Sequence, residues 1–375
     1  MIGMSMDQCD RFGGRRPRLR SRWRGSHIAI AIAVVFAGCG ARQKPLPLPP
    51  LAPPAVPVAP ASRAEAAMPA PFAITRGFDA SLWFTEFHAN RIGRISTAGE
   101  VATFEITSGG LPERLAAGPD EAIWFTDPAR NRIGRLDPGG AQAFIPLRND
   151  DSGPAAIISG PGGDLWFTEH ASNRIGRVTP LGTVTEFALP KAGGPAGIAA
   201  GADGNLYIAE NSGNRIDRMS PAGRIEEYEL PHPDTQPNDI VGGADGNLWF
   251  TELGPRRVGR MSPDGDLTEF KLPAAGLPMG IAVGPDGNIW VTVAEAHAVC
   301  KIDPDGTASA YFLPDKVYPS FISSGPDNNL WFTEPDGRIG RLTLAGRLTQ
   351  FSASPANDAA AATGARKHEL LIAPH

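Results

Sequence analysis

An all-β fold, a seven-bladed propeller of four-stranded antiparallel blades, is predicted by three features of the sequence. The first is a period. An aromatic anchor falls at Trp83, Trp124, Trp166, Tyr207, Trp249, Trp290 and Trp331, at intervals of 41, 42, 41, 42, 41 and 41 residues. Self-similarity at a fixed spacing of this size marks a repeat architecture before it marks a function. The second is the pattern inside each copy, where short alternating apolar runs are bounded by Asp-Gly, Pro-Asp-Gly or Ala-Gly and no helical period is sustained. The third is composition. With 44 glycines and 37 prolines in 375 residues, turns are favoured over long helices.

The chain opens with an address. Residues 1–38 run from an arginine-rich segment, Arg11 to Arg24, into an apolar stretch, Ile28 to Ala37. This is the layout of a signal peptide, and the apolar stretch is too short for a stable bilayer-spanning helix. Phe36-Ala37-Gly38-Cys39 resembles a bacterial lipobox, with phenylalanine where leucine is usual. That resemblance implies a lipoprotein acylated at Cys39, exported to the periplasm or cell surface and touching the membrane through its N-terminal lipid alone. An ordinary secretory signal with a chance cysteine is the other reading, and it too leads out of the cytoplasm. Arg15-Arg16 shares only its pair of arginines with a twin-arginine signal.

Residues 39–71 form a Pro/Ala-rich linker in which Pro45-Leu46-Pro47-Leu48-Pro49-Pro50 favours a semi-rigid polyproline II spacer. Seven arginines against two aspartates give residues 1–38 a net +5, so residues 39–375 carry −10 of the total −5. So acidic a domain is a poor partner for nucleic acid. Cys9, Cys39 and Cys300 stand apart, which argues against both a disulfide framework and a Cys-x-x-Cys metal site.

The repeats occupy 72–357, with 358–375 as a C-terminal tail. Each copy carries four strand-sized pieces. The first follows a proline, as in Pro278-Met279-Gly280-Ile281, and a Gly-Pro-Asp-Gly turn leads to the second, Asn288-Ile289-Trp290-Val291-Thr292. The third is of the Arg174-Ile175-Gly176-Arg177-Val178 type and the fourth of the Thr183-Val184-Thr185-Glu186-Phe187 type. Four short antiparallel strands per unit of about 40 residues is a propeller blade. All seven blades fit whole, so the ring closes either without a shared blade or by recruiting Glu369-Leu370-Leu371-Ile372 as an extra strand. A monomer is expected.

The acids after the aromatic strand, Glu86, Asp127, Glu169, Glu210, Glu252 and Glu334, recur too often to be one catalytic site. With the recurring Asn-Arg pair, as in Asn173-Arg174, they read as a structural set in which carboxylates meet guanidinium or turn amides.

The unit Leu-Trp-Phe-Thr-Glu…Asn-Arg-Ile-Gly-Arg…Thr-Glu-Phe-x-Leu-Pro resembles that of the virginiamycin B lyase (streptogramin lyase) family over about 72–352. The resemblance implies a seven-bladed propeller and a magnesium-dependent C–O lyase that linearises cyclic depsipeptide antibiotics by elimination. It also implies histidines after the opening prolines of two adjacent blades, with glutamates nearby. Here those positions hold Phe72, Glu113, Ala155, Ala196, Asn238, Met279 and Ser320; Tyr318 precedes Pro319, and Pro335 stands four residues after Trp331. Elimination needs a base for the α-proton and an acid or metal for the leaving group. No catalytic residue is therefore assigned, and magnesium is expected only if lyase activity persists.

First-strand starts ring the mouth of a propeller channel, where ligands bind. Glu113, Arg114, Asn238 and Asp239 are accordingly the candidate contacts for a small molecule or peptide. His88, His170 and His232 read as loop variants, and Glu295 with His297 as drift of the sixth copy around a buried Cys300. Two further readings stand beside a binding propeller without lyase chemistry. One is an enzyme, either a lyase with a rearranged site or a six-bladed calcium-dependent lactone hydrolase. The other is a platform for an envelope protein.

Overall fold

The computed structural model describes residues 70–355 and 368–374. The arginine-rich leader, Cys39 and residues 39–69 of the linker lie outside the described residues. Seven antiparallel sheets follow in chain order, six of four strands and the last of five. Blade 1 is Pro71–Arg76, Leu82–Glu86, Arg91–Ile95 and Val101–Glu105, paired in that order. The aromatic strands of the later blades are Ile123–Asp127, Leu165–Glu169, Leu206–Glu210, Leu248–Glu252, Ile289–Val293 and Leu330–Glu334. Every residue of all seven aromatic strands is buried, because each is the second strand of its blade and is covered by sheets on both sides.

The tryptophans fill the space between neighbouring sheets. Trp83, Trp166, Trp249 and Trp331 stack on Phe104, Phe187, Phe270 and Phe351 of the fourth strands, at ring separations of 5.3, 5.7, 5.2 and 5.3 Å. Buried indole N–H groups need acceptors. Trp83, Trp124, Trp249, Trp290 and Trp331 find them on the aspartate four residues earlier, and the Tyr207 hydroxyl donates likewise to Asp203. The Asp-Gly and Pro-Asp signals of the turns thus serve the core as well as the chain reversal.

Within a blade, phenylalanine and glycine exchange space. Phe84 faces Gly93 across the strand pair, and a methyl group on that glycine would fall on the Phe84 ring. Blade 4 reverses the assignment with Ile208 opposite Asp217, and blade 6 does so with Val291 opposite Cys300. A smaller aromatic-strand residue makes room for a side chain on its partner.

One joint recurs between blades. The first strand is bulged opposite the threonine of Trp-Phe-Thr, which breaks main-chain pairing there. The hydroxyl repairs the break by accepting the N–H of Ala73, Ala156 or Gly280 in its own blade at 2.9–3.0 Å. It then donates to the next blade's first strand: Thr85 to Glu113 O at 2.9 Å, Thr126 to Ala155 O at 2.7 Å, Thr168 to Ala196 O at 2.9 Å.

Ring closure uses the same joint. Thr333 donates to Phe72 O at 2.6 Å, and Arg341 to Thr97 O at 3.0 Å. No blade is shared. Of the two ways of closing, the seam is thus the one without a shared blade, and the tail strand His368–Leu371 pairs with Arg347–Ser352 as a fifth strand on the outer edge of blade 7, away from that seam.

Candidate functional site

The end of the ring that carries the first-strand starts is built in two layers. The upper layer holds the residues after the opening prolines, among them Phe72, Glu113, Asn238, Met279 and Ser320. The next position inward reads Ala73, Arg114, Ala156, Gly197, Asp239, Gly280 and Phe321. Four blades offer an alanine or glycine there, and the remaining three fill the axis. The Arg114 guanidinium lies 3.7 Å from the centre of the Phe321 ring and its Nη1 is 3.8 Å from Asp239 Oδ1. These side chains come from blades 2, 7 and 5, which are not neighbours, so they meet only by projecting into the channel. Asp239 is fixed further by Ile281 N–H, which donates to its Oδ2 at 3.3 Å.

Of the four candidate residues, Arg114 and Asp239 therefore form a floor across the channel, with Phe321 as the third member that the sequence reading had passed over. Glu113 stands beside that floor. Burial pushes its carboxyl above the ordinary range, against the opposing charges of Arg114 and His170. Burial also raises Asp239, again opposed by Arg114. Asn238 is half-buried on the rim, and no side-chain partner for it is described.

Aromatic side chains bank one side of the mouth. Phe72 packs on Phe321 at 4.7 Å between ring centres and on Phe87 at 6.0 Å, and Tyr318 lies 4.6 Å from the His297 ring. His88, His170 and His232 are exposed, as expected of loop positions. His170 and His297 each set Nδ1 against a backbone carbonyl, Pro195 O at 3.2 Å and Val317 O at 2.9 Å; a carbonyl only accepts, so Nδ1 carries the proton. Glu295 turns away from His297 to Arg256, at 3.4 Å, so the two form no pair.

The repeated acids lie one strand further out, and all six are fully buried. Glu86 pairs with Arg91 at 2.6 Å, Asp127 with Arg132 at 2.7 Å, Glu334 with Arg338 at 3.5 Å, and Glu210 with Arg215. Glu169 instead accepts from Ser172 at 2.8 Å. Glu252 departs from the expected pairing with guanidinium or amide, because Arg257 turns to Glu269 at 2.6 Å and leaves both Glu252 oxygens without a hydrogen bond. Burial, and then the Glu269 charge, push Glu252 up to about 8. In blade 4, burial raises both Glu210 and Asp217, with repulsion from Asp217 adding to the rise of Glu210 and repulsion from Glu227 adding to that of Asp217.

The asparagines of the Asn-Arg pairs have a role that pairing alone did not suggest. Asn90, Asn131, Asn173 and Asn214 sit at φ values of 55, 49, 56 and 54°, in the left-handed region that asparagine tolerates. Their side-chain amides clamp the chain leaving the blade. Asn131, for example, donates to Asn149 O at 2.6 Å and accepts Ser152 N–H at 2.8 Å.

Comparison with known proteins agrees with this architecture. The model of the virginiamycin B lyase family matches residues 61–193 and 192–368. A solved streptogramin B lyase is 35% identical, with a TM-score of 0.70, 73% of this chain covered and 94% of that one. A selenomethionine-substituted virginiamycin B lyase from Staphylococcus aureus is 34% identical, with a TM-score of 0.71 and coverage of 74% and 96%. A catalytically inactive histidine-to-alanine variant of the Staphylococcus aureus enzyme with quinupristin is 34% identical, with a TM-score of 0.71 and coverage of 74% and 97%. No curated protein sequence matches. By its repeat, its seven blades and these matches, the chain belongs to the virginiamycin B lyase family.

Proposed function

We propose that this protein is an exported, lipid-anchored propeller that binds a small molecule or peptide at the channel mouth without streptogramin lyase chemistry. The observation that carries the reading is the content of the mouth. Met279, Tyr318 and Ser320 occupy places where the family resemblance implies proton-transferring side chains, and Arg114, Asp239 and Phe321 close the floor. Magnesium does not fit this donor set. Among the described residues no three histidine, cysteine, aspartate or glutamate side chains are gathered as a metal site, and a guanidinium already stands beside Asp239. The lipobox-like Phe36-Ala37-Gly38-Cys39 supports a tethered head.

Incubating the purified protein with virginiamycin B and Mg²⁺ tests the proposal. Intact cyclic antibiotic by mass spectrometry is the expected result, and linearised product would overturn it. One feature favours a lyase with a rearranged site: His170 is oriented by its Nδ1–H, which donates to Pro195 O at 3.2 Å, and it lies near enough to Glu113 to interact with it electrostatically. Turnover abolished by H170A would establish that alternative. Seven blades argue against a six-bladed lactone hydrolase. Recovery of an envelope protein in a pull-down, lost when the mouth is altered, would make the ligand a partner protein.

A further inference from the structure

We infer that the connection from blade 4 to blade 5 is a pH-sensitive latch. His232 closes it on Glu269 when the imidazole is protonated, and the latch slackens when the imidazole is neutral. The argument starts from a joint that recurs in three consecutive connections. Two residues after the buried Leu147, Leu189 and Leu230 stand Asn149, Lys191 and His232. Each has its carbonyl held by the clamping asparagine of the blade behind: Asn131 at 2.6 Å, Asn173 at 2.9 Å and Asn214 at 2.8 Å. Each sends its side chain to one place in the blade ahead, the third residue of the fourth strand. Asn149 Nδ2 donates to Glu186 Oε2 at 2.6 Å, Lys191 Nζ lies 3.0 Å from Glu227 Oε2, and His232 Nε2 lies 3.3 Å from Glu269 Oε2.

The three joints differ in their response to pH. An amide carries no charge and a lysine keeps its charge well above neutrality, but a histidine changes charge between about pH 5 and 8. Only the third joint is therefore an ion pair that neutral pH can dissolve. Its surroundings hold three other ionisable groups. Arg257 Nη1 lies 2.6 Å from the same Glu269 oxygen, and Glu252 is buried with both oxygens lacking a hydrogen bond. Burial, and then Glu269, push Glu252 up to about 8, so it stays largely uncharged while the histidine titrates. Asp234, on the connection itself, is exposed. The latched segment runs directly into Pro237–Gly242, the strand that delivers Asp239 to the channel floor.

Amide hydrogen exchange on the purified full chain, corrected for the intrinsic effect of pH on exchange, tests the latch. The reporters are Thr235 N–H, which donates to Asn214 Oδ1 at 2.7 Å, and the N–H groups of Leu253 and Gly254, which donate to Gln236 O and Thr235 O. Their protection is expected to fall about threefold between pH 5.5 and 7.5, the scale of a half-exposed ion pair. H232K, which copies the lysine of the preceding joint, should keep the higher protection at both pH values. H232N should show the lower protection at both. His232 is exposed, so neither substitution disturbs the core. Wild-type protection that does not change with pH overturns the inference. So does an equal fall in H232K, which would assign the titration to Glu252.

Discussion

Blades 5 and 6 are neighbours with the same strands, yet their interiors follow opposite rules. Blade 5 buries Glu252 opposite Arg257 and sets Gly259 between Phe250 and Glu269, which Arg257 reaches at 2.6 Å. Blade 6 has Val293, Ala298, Cys300 and Ala310 at the same four places, next to Val291, and all are fully buried. The polar set has been exchanged whole. A buried ionic group replaced completely by apolar residues costs little and often stabilises, whereas removing one member strands a charge. Blade 6 shows that the recurring acids are a consistent local solution and not a requirement of the fold, and the lone Cys300 belongs to that exchange.

If this comparison is right, the largest effect belongs to blade 4, where Arg215 is the most buried cation of any set. It touches Glu210 and lies 3.5 Å from Asp217 and 3.3 Å from Glu227. R215A leaves Glu210 and Asp217 without their ion-pair partner, while Glu227 keeps Lys191 at 3.0 Å, and equilibrium denaturation at pH 8 should record a loss of about 3–5 kcal/mol. A loss below about 1 kcal/mol would mean that the set is not coupled.

A change of opposite sign is expected in blade 5. Glu252 titrates near 4.5 when unfolded and is pushed to about 8 when folded. The folded protein therefore holds the extra proton, and the contribution of Glu252 to stability is intact below pH 4.5 and lost as the pH rises through about 8. E252Q keeps the shape without the charge. It should match the wild type at pH 4.5 and exceed it by roughly 1–3 kcal/mol at pH 8.5, and a thermal-denaturation series across that range checks the slope. A constant difference at every pH would refute the account.

The smallest effect concerns the threonine joint. Blade 4 already has Ala209 where the others have threonine. T168A, which removes the bond to Ala196 O, should cost about 1 kcal/mol in denaturant titration. A cost of several kcal/mol would make the joint indispensable, contrary to what Ala209 implies.

The fold was legible because a repeat states its architecture many times over, and Trp83 through Trp331 need only be counted. The site was legible in part. Glu113, Arg114, Asn238 and Asp239 follow from register, since first-strand starts must ring the mouth. Phe321 did not follow, because its meeting with Arg114 joins blades far apart in the chain. A signal was nonetheless present: the position shared by Ala73, Ala156, Gly197 and Gly280 is small in four copies and large only at Arg114, Asp239 and Phe321. The roles of the threonines and asparagines stayed hidden for another reason. A recurring polar residue looks alike whether it bonds within its own blade or across to the next, and only geometry separates the two.

The joint between Thr333 and Phe72 makes the seam of this ring equivalent to its internal junctions. Where the chain begins is then an accident of genetics and not a property of the architecture. A circularly permuted chain, opened between any two blades and linked across the present ends, would recover the same seven sheets. Gain or loss of one 41-residue unit would alter the girth of the channel before it altered the logic of the blade.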